Sequence, residues 1–407
     1  MIDFYPFVRS LFFLLAFTVF YTYVGYGLVV WLLVRLRPGS KSTPAGPSTP
    51  LPDVTMVVPA YNERDYLPAK LQNCLDQDYP AERLHLLFVT EGSNDGSVEY
   101  LEGMKQCVPN LTIIGGTRRL GKVAAMNRAM RQVSTPITIF TDANTQLNRE
   151  AVRRLATRFQ PADVGAVTGE KRISSQGTEA AAGSGEGLYW RYESFLKRLD
   201  ARLHTIVGAA GELFAIRTEL YEPVEPDTLL DDFIISLRIA GRGYRVDYAP
   251  DAYALERPSH SVNEEMKRKV RIATGGFQAI QRLSHLLNIF TYGWLTFQYV
   301  SHRVLRWAVA PFCLPLLLVL NAVMLTESNA AGNPPTDAGF WWALLIAQLI
   351  FYGMAYVGYT LENRQTRWKL TFVPFYFVFM NWCVLLGFAR FRNGGISGVW
   401  EKSRRAV

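Results

Sequence analysis

Two acidic motifs in this chain have residue types that suit a divalent cation and a proton acceptor. The first, Asp142-Ala143-Asn144, follows an apolar run from Ile137 to Phe140. An acidic residue at the C-terminal edge of a parallel strand is where α/β folds place ligand chemistry. A carboxylate with a second oxygen ligand two residues further on suits Mg²⁺ or Mn²⁺. Capping of the following helix is the alternative interpretation of the same residues.

The second acidic motif is Asp231-Asp232, which lies between Leu229-Leu230 and the apolar run Phe233 to Ile235. Adjacent carboxylates in a poorly hydrated place raise at least one pKa, and a raised pKa suits a general base. An ordinary helix that begins with acidic residues has the same pattern, because carboxylates stabilise helix N-termini. Both interpretations remain open at the level of these residues.

Three weaker motifs follow the other predicted strands. Pro59 to Glu63 is compatible with a ligand loop or with a turn into an N-capped helix. Glu91 to Ser97 is acidic and rich in Gly, which allows a ligand to approach the backbone, although a plain Asn/Asp/Gly loop has the same composition. Gly121-Lys122 opens a predicted helix, where a cation suits a diphosphate, or it is a solvated basic turn.

A basic motif, Lys267 to Arg271, follows the acidic pair. Arginine makes strong bidentate hydrogen bonds to phosphate, so this segment is a candidate contact for a leaving phosphate. Attachment to anionic lipid is the alternative interpretation. The surrounding segment Asn263 to Leu287 is basic and then amphipathic, which predicts a helix on a membrane surface.

The elements that must position these motifs alternate between strand and helix patterns. The predicted strands are Val54–Val58, Leu84–Val89, Leu111–Ile114, Ile137–Phe140 and Val164–Val167. The predicted helices are Glu63–Leu75, Ser97–Lys105, Lys122–Gln132 and Arg149–Phe159. This alternation predicts an α/β domain with a mostly parallel sheet and helices on both faces.

Four apolar segments flank this domain and have the length of membrane spans. They are Leu11–Val34, Leu305–Leu325, Phe340–Leu361 and Leu370–Phe388. Arg35, Arg37 and Lys41 follow the first segment, so the positive-inside rule places the central domain in the cytosol. The organisation we predict is an N-terminal transmembrane helix (1–37), a linker (38–53), a catalytic domain (54–262), amphipathic interfacial helices (263–304), C-terminal transmembrane segments (305–391) and a basic tail (392–407).

The basic tail conflicts with four full crossings. Lys402, Arg404 and Arg405 favour the cytosol, whereas a fourth crossing would place them outside. Either Leu370–Phe388 is re-entrant or interfacial, or the charge rule fails here. The residues themselves leave this choice open.

Composition excludes several classes of protein. The 407 residues are 49% hydrophobic and 13% aromatic, which excludes a disordered chain. The net charge of +8 fits contact with anionic membrane lipids, and no basic block with interleaved aromatics resembles a nucleic-acid-binding module. The four cysteines have no metal-binding spacing, and the five histidines are scattered. We therefore expect no zinc site, no disulfide scaffold and no nucleic-acid partner.

The order of the motifs is more specific than any one of them. The series from Pro59 through Glu91, Lys122, Asp142 and Asp232 to the basic motif resembles the family 2 glycosyltransferases. It resembles most the membrane-embedded branch that contains cellulose, chitin, hyaluronan and poly-N-acetylglucosamine synthases. The resemblance covers about Val54 to Gln278 by motif, and the flanking helices by layout only.

The resemblance implies a GT-A fold, which is a Rossmann-like nucleotide-binding sheet, and a role for each matching residue. It implies that the nucleoside is lined by Ala60, Tyr61, Glu63 and Glu91, with Lys122 nearby. It implies that Asp142 and Asn144 hold Mg²⁺ or Mn²⁺ on the sugar-nucleotide diphosphate, and that Arg271 contacts this diphosphate. It also implies that Asp232, beside Asp231, is the catalytic base, and that the acceptor site includes Gly208 to Gly211 and Trp190.

Three positions depart from the family pattern. Glu91 stands where Asp is usual, and Asn144 replaces a second Asp, so the amide oxygen would bind a metal without charge. Arg268 and Ile272 replace the Gln and Trp that precede and follow in the family's Q-x-x-R-W motif. That Trp is associated with holding a growing polymer, so its replacement puts processivity in doubt.

The activity implied is an inverting, metal-dependent transfer of a sugar from a nucleotide-sugar, with a UDP-sugar expected, to a growing polysaccharide at the cytoplasmic face of the membrane. The resemblance leaves room for partner subunits of a polysaccharide export system. One alternative is transfer of a single sugar to a lipid acceptor, a polyprenyl phosphate or glycolipid. A second alternative is a non-catalytic membrane subunit that binds nucleotide.

Overall fold

A computed structural model describes residues 4–37, 50–173, 180–257, 261–330, 338–363, 369–394 and 398. Most of the predicted linker and of the basic tail lies outside the described residues. Within them, an α/β domain built on one sheet joins a group of long apolar helices.

The sheet has eight strands in the order β3-β2-β1-β4-β7-β6-β8-β5. The strands are β1 Val54–Ala60, β2 Leu84–Glu91, β3 Leu111–Gly116, β4 Ile137–Thr141, β5 Gln146–Leu147, β6 Val164–Ile173, β7 Leu213–Arg217 and β8 Arg245–Glu256. The pairs β1/β2, β2/β3, β1/β4 and β6/β8 are parallel, whereas β4/β7, β6/β7 and β5/β8 are antiparallel. The five predicted strands are all present in this α/β sheet.

The parallel half of the sheet brings three of the sequence motifs to one edge. Strands β1, β2 and β4 run side by side in the same direction, and they end at Ala60, Glu91 and Thr141. Because parallel strands release their carboxyl ends at the same edge, Tyr61, Glu91 and Asp142 emerge close together. Strands β1 and β4 are mostly apolar, as expected of parallel strands that are covered on both faces of the sheet.

Helices cover both faces of the sheet and continue into the apolar group. They are α1 Phe4–Phe20, α2 Tyr26–Leu36, α3 Leu67–Leu75, α4 Ser97–Met104, α5 Lys122–Met130, α6 Ala151–Ala156, α7 Ala180–Leu203, α8 Asp231–Gly241, α9 Val262–Arg282, α10 Ile289–Tyr292, α11 Trp294–Tyr299, α12 Ala310–Ala330, α13 Ala338–Asn363 and α14 Lys369–Arg392. Short 3-10 helices span Ala81–Arg83, Thr157–Phe159, Thr218–Leu220 and Ser284–Leu287, and π-helical segments span Tyr21–Gly25 and Val300–Val309. The helix predicted from Glu63 begins four residues later, after a turn.

Four helices among the described residues are long and apolar enough to cross a membrane. They are Tyr5–Leu36, Trp294–Thr326, Ala338–Glu362 and Leu370–Arg392. Each contains one of the predicted apolar segments. The last of them is a single continuous helix, so it is not the pair of half-helices expected of a re-entrant loop.

Helix α9 is enclosed between the α/β domain and α14. On one side Gly275 lies so close to Leu229 and Leu230 that a Cβ atom would be 2.9 and 2.7 Å from their side chains. On the other side Ala273 meets Gly387 of α14, again at a distance that leaves no space for a larger residue. The small residues therefore let α9 approach both neighbours, and the basic motif that it carries is held against the domain.

Candidate active site

Nearly all the residues singled out by sequence line one cavity of about 400 Å³ at the carboxyl edge of the parallel strands. The members of the lining that sequence predicted are Ala60, Tyr61, Glu63, Glu91, Lys122, Asp142, Asn144, Trp190, Gly211, Asp231, Asp232 and Arg271. Gly208 is the exception among the predicted residues. It has a φ of +89°, and a Cβ atom there would meet the Phe233 ring at 2.3 Å, so Gly208 packs behind the cavity wall.

The loops after β1 and β2 are tied to each other by hydrogen bonds. Asn62, with a left-handed φ of 52°, donates to Asn94 at 2.9 Å and accepts from the Asn94 backbone at 2.9 Å. Asp95 accepts from the Arg64 backbone at 2.9 Å. Much of the acidic, Gly-rich loop is therefore used for this cross-link, while Glu91 is left on the cavity wall.

Two arginines flank this part of the cavity. The Arg119 guanidinium lies 4.0 Å above the Tyr61 ring, in a cation–π arrangement. Arg128 approaches the Glu91 carboxylate at 2.8 Å. Burial raises the pKa of Glu91, and the Arg128 charge opposes that rise. The Tyr61 ring offers an aromatic face, and the buried Glu91 carboxylate can still accept hydrogen bonds. Together they suit a planar ligand ring that carries hydroxyl or N–H donors.

Lys122 connects the two acidic motifs. We call Lys122, Asp142, Asp231 and Asp232 the strand-edge cluster. The Lys122 ammonium is 2.8 Å from Asp142 and 3.5 Å from Asp231. Burial alone would lower the pKa of Lys122, but the carboxylates of Asp142 and Asp231 outweigh burial and raise it above its usual range. Lys122 is therefore a fixed cation.

Asp232 differs from its neighbours in the strand-edge cluster. It stands in the first turn of α8, with its carboxylate against Gly211, where a Cβ atom would be 3.2 Å from Oδ2. Among the described residues, no cationic side chain comes within 4 Å of this carboxylate. Burial, followed by the charge of Asp231, raises the pKa of Asp232 to about 7. The acidic pair begins a helix, as one interpretation predicts. The raised pKa of Asp232 is compatible with a general base, and that role stays a prediction.

The strand-edge cluster fits a divalent cation that is shared with an anionic ligand. Three carboxylates there face one ammonium, so the cluster has an excess of negative charge. In the described part of the chain, no three acidic, His or Cys side chains stand close enough to enclose a metal by themselves. Mg²⁺ is usually held by one or two carboxylates together with phosphate oxygens and water. The donor set of Asp142 and Asn144 has this incomplete form.

Trp190 lies on the opposite wall, among lysines. The ammonium groups of Lys171, Lys197 and Lys269 lie 5.3, 5.8 and 5.9 Å from the centre of its indole ring. Lys171 is completely buried and pairs with Glu212 and Glu256. The three ammonium groups thus lie around the indole ring, and Trp190 contributes an aromatic surface to the cavity.

The cavity wall that includes residues of the long apolar helices contains residues that sequence analysis missed, and we call it the membrane-facing wall. It is formed by Glu193 and Lys197 of α7, Arg303 and Trp307 of the π-helical segment, and Met380, Cys383 and Val384 of α14. Arg271 of α9 joins this wall. No local pattern connects these residues, because they come from helices far apart in the chain.

Two residues of that wall, Glu193 and Arg303, belong to a buried ionic network. We call Glu193, Asp200, His302, Arg303 and Arg306 the membrane-side cluster. Glu193 is 2.5 Å from Arg303 and 3.1 Å from Arg306. His302 lies 2.6 Å from Asp200, which also accepts a hydrogen bond from Tyr26 of α2 at 2.5 Å. Burial alone would raise the pKa of Glu193, but Arg303 and His302 lower it well below its usual range.

The part of the chain that contains the sheet matches a known protein family. The family model described as Glycosyltransferase like family 2 matches residues 52–275, which is more than half of the chain. The matched range begins just before β1 and ends within α9. It therefore includes the complete sheet and the strand-edge cluster.

Two curated relatives are enzymes of glycan synthesis. A poly-beta-1,6-N-acetyl-D-glucosamine synthase from Staphylococcus aureus (strain MSSA476) is 25% identical over 240 residues, which cover 57% of this chain and 56% of that protein. An N-acetylglucosaminyltransferase from Rhizobium meliloti (strain 1021) is 24% identical over 311 residues, which cover 73% of this chain and 69% of that protein. The chain thus spans about half the length of the first relative.

A solved structure matches nearly the whole chain. It is a mannosyltransferase from Pyrobaculum calidifontis in complex with GDP-Man and Mn²⁺. The similarity has a TM-score of 0.72 at 22% identity and covers 95% of this chain and 99% of the other. The fold, including its apolar helices, is therefore that of a known GT-A protein.

Proposed function

This chain belongs to the glycosyltransferase like family 2, related to polysaccharide synthases, and on that basis we propose that it transfers a sugar from a nucleotide-sugar to a growing polysaccharide. The observation that carries the proposal is that Asp142 and Asp232 line the same cavity. A pyrophosphate held at one carboxylate would lie within reach of the other. Lys122, which contacts both Asp142 and Asp231, supports this arrangement.

A divalent cation, Mg²⁺ or Mn²⁺, would be held by Asp142 and Asn144 together with the donor diphosphate. When bound, it neutralises negative charge that builds on the departing diphosphate. Lys122 is a fixed cation at the same place and would act on the same charge. Arg271, on the facing wall, would donate to the diphosphate from the other side.

Asp232 would act as the general base, with Asp231 beside it. A hydroxyl oxygen of the acceptor forms a bond to the anomeric carbon while the bond from that carbon to the diphosphate oxygen breaks. The hydroxyl proton passes to Asp232, and the electron pair leaves with the nucleoside diphosphate. Attack from the side opposite the diphosphate inverts the anomeric configuration.

The donor nucleoside would occupy the wall formed by Ala60, Tyr61, Glu63 and Glu91. Glu91 would accept hydrogen bonds from the base or from ribose hydroxyls, and the Tyr61 ring, already stacked on Arg119, would support a planar base. We keep a UDP-sugar as the proposed donor. The names of the two curated relatives make N-acetylglucosamine the first sugar to test.

The acceptor would enter between Trp190 and Gly211, where an aromatic ring suits the face of a sugar. A second candidate acceptor is a lipid, and the composition of the membrane-facing wall favours it. Met380, Cys383 and Val384 give that wall an apolar surface. Product size separates the two candidates, because a polymerase yields a ladder of glycans and a lipid acceptor yields a single addition.

We propose that three helices cross the membrane and that α14 lies along its surface. Helix α14 runs beside α9 over most of its length, from the packing of Phe375 and Phe379 near Met266 to that of Phe391 against Phe277. A helix that runs alongside a surface helix is itself parallel to the membrane surface. This arrangement favours the interfacial alternative for the last apolar segment.

Contacts with the other long helices support the same topology. Tyr5 and Phe12 near the start of α1 meet Trp341 at the start of α13, which marks the end remote from the α/β domain. Helix α14 instead contacts the domain-side portions, through Tyr23 of the π-helical turn before α2 and Phe312 of α12. The catalytic domain and the chain beyond α14 would then share one side of the membrane, and Arg35 and Arg37 make it the cytoplasmic side.

The test of the proposed function is transfer from a panel of radiolabelled UDP- and GDP-sugars by the purified full-length chain in lipid nanodiscs. We expect transfer with at least one donor, dependence on Mg²⁺ or Mn²⁺, and its loss in Asp142→Ala. Near wild-type turnover in Asp142→Ala would reject the cation site. Mass spectrometry of the products would identify the acceptor class.

A further inference from the structure

Lys70 is a buried lysine directly beneath the turn that carries Asp142 and Asn144. It lies on α3, on the face formed by Leu67, Leu71 and Cys74, and has no exposed surface. Burial of an ammonium group is unfavourable unless the group is paired or fully hydrogen-bonded. Among the described residues, no carboxylate lies within 4 Å of it. The position therefore has a cost in stability that apolar packing would have avoided.

All three hydrogens of the Lys70 ammonium have an acceptor at the end of β4. The group donates to Thr141 Oγ1 at 2.9 Å, to the Thr145 carbonyl at 3.0 Å and to Thr145 Oγ1 at 3.3 Å. An ammonium group only donates. Both hydroxyls must therefore accept from Lys70 and direct their own hydrogens elsewhere.

The two threonine hydroxyls, which accept from Lys70, donate their own hydrogens to backbone carbonyls of the site. Thr145 Oγ1 donates to the carbonyl of Asp142 at 2.9 Å, and Thr141 Oγ1 donates to the carbonyl of Glu212 at 3.0 Å. Glu212 follows Gly211, against which the Asp232 carboxylate lies. One buried cation thus connects the strand end that presents Asp142 with the segment that supports Asp232.

We propose that Lys70 is a positioning residue that fixes the Thr141–Thr145 turn in the geometry needed to bind a cation together with a nucleoside diphosphate. This inference rests on the proposed function, since it concerns the same cation site. Lys70 acts through hydrogen bonds to the turn and touches neither the cation nor the donor. Groups of this kind behind metal ligands typically change metal affinity by about 10- to 100-fold when they are removed.

The experiment compares Lys70→Met, Lys70→Gln and the control Asn73→Ala. Met preserves the length of the side chain without hydrogen bonds, and Gln restores a neutral donor. Asn73 lies on the same helix and bonds to the backbone of Leu147 just beyond the turn, at 2.8 Å in both directions. Its removal loosens the same contact region without changing the hydrogen bonds at Asp142.

Binding of Mn²⁺ is measured on the full-length chain by loss of the free-ion EPR signal, in parallel titrations with UDP and with GDP, beside thermal unfolding. We expect Lys70→Met to weaken Mn²⁺ binding about tenfold, Lys70→Gln to recover much of that loss, and Asn73→Ala to lower the unfolding temperature while leaving Mn²⁺ affinity unchanged.

Three outcomes would overturn the assignment. Unchanged Mn²⁺ affinity in Lys70→Met and Lys70→Gln would remove any role at the cation site. Equal weakening in both would attribute the effect to charge rather than to hydrogen bonding, and equal weakening in Asn73→Ala would attribute it to general loosening. If wild-type protein binds no Mn²⁺ with either nucleotide, the proposed function itself fails, which is a distinguishable result.

Discussion

The two charged clusters that border the cavity differ in how many cationic or hydrogen-bonding partners each carboxylate has. In the membrane-side cluster, Glu193 has two arginines within 3.1 Å, and Asp200 has His302 and Tyr26. In the strand-edge cluster, Lys122 pairs with Asp142 and Asp231, and among the described residues Asp232 has no cationic side chain within 4 Å. Removing one partner from a matched buried network destabilises the fold, whereas unmatched acids in a cavity indicate a place that a ligand completes. We therefore predict a structural role for the membrane-side cluster and a functional role for the strand-edge cluster.

The largest effect that would sharpen this comparison is expected from Asp232→Asn. The amide keeps the shape of the side chain but cannot accept the proton, so transfer should fall by about a thousandfold. The unfolding temperature should stay the same or rise, since the change removes a buried charge beside Asp231. Both are measured on the same preparation, by initial rate and by thermal unfolding. Turnover near that of wild type would remove Asp232 from the role of base.

The membrane-side cluster should respond in the opposite way. Glu193→Gln leaves Arg303, Arg306 and His302 without their shared counter-charge, and breaking a buried pair costs about 3–5 kcal/mol. We expect a large loss in stability, measured by thermal or denaturant unfolding in nanodiscs. The turnover of the protein that remains folded should change less than in Asp232→Asn. If Glu193→Gln unfolded at the same temperature as wild type, the membrane-side cluster would not have the structural role that distinguishes it from the strand-edge cluster.

The pH dependence of transfer should report the strand-edge cluster. A general base works only when it has lost its proton, and the pKa of Asp232 is raised to about 7. The value of kcat/KM should therefore increase with pH and level off above about 7, falling about tenfold per unit below it. A profile that is flat between pH 5 and pH 8, with flatness confirmed in two buffers, would contradict this assignment.

The smallest predicted effect concerns the uncharged ligand at position 144. Asn144→Asp adds a carboxylate to the candidate cation site, and a higher ligand charge tightens binding of a hard cation. We expect the Mn²⁺ concentration for half-maximal transfer to fall several-fold while kcat changes little. Asn148→Asp provides a control, since Asn148 bonds to the backbone of Asp251 and Tyr253 and is not part of the cavity lining. An equal shift in the control would mean that charge alone is responsible.

Sequence predicted the parts of the molecule that depend on local patterns. Strands β1 to β4 are mostly apolar and are followed by polar motifs, so both the strands and the motifs after them could be located. Strands β5, β7 and β8 were missed, since none of them is followed directly by a ligand motif. The roles of the individual cavity residues remain predictions, although all except Gly208 line the cavity.

The membrane-facing wall could not be predicted because its residues meet only in the folded chain. Glu193 and Arg303 are separated by more than a hundred positions, and each alone resembles a solvated charge. Gly208 was placed in the acceptor site by resemblance, and only the position of the Phe233 ring reveals its packing role. Lys70 did leave a signal in the sequence. It occupies the apolar face of α3, three positions from Leu67 and four from Cys74, where a charge is unexpected.

Helix α14 supplies Met380, Cys383 and Val384 to the cavity, and α9 supplies Arg271. An excised soluble fragment that ended at residue 262 would keep every strand yet have an active site open along one whole side. Kinetic constants measured on such a fragment would describe an active site that lacks the residues of α9 and α14. The thickness and headgroup composition of the surrounding bilayer consequently become variables of the enzymology, to be controlled as carefully as buffer or temperature.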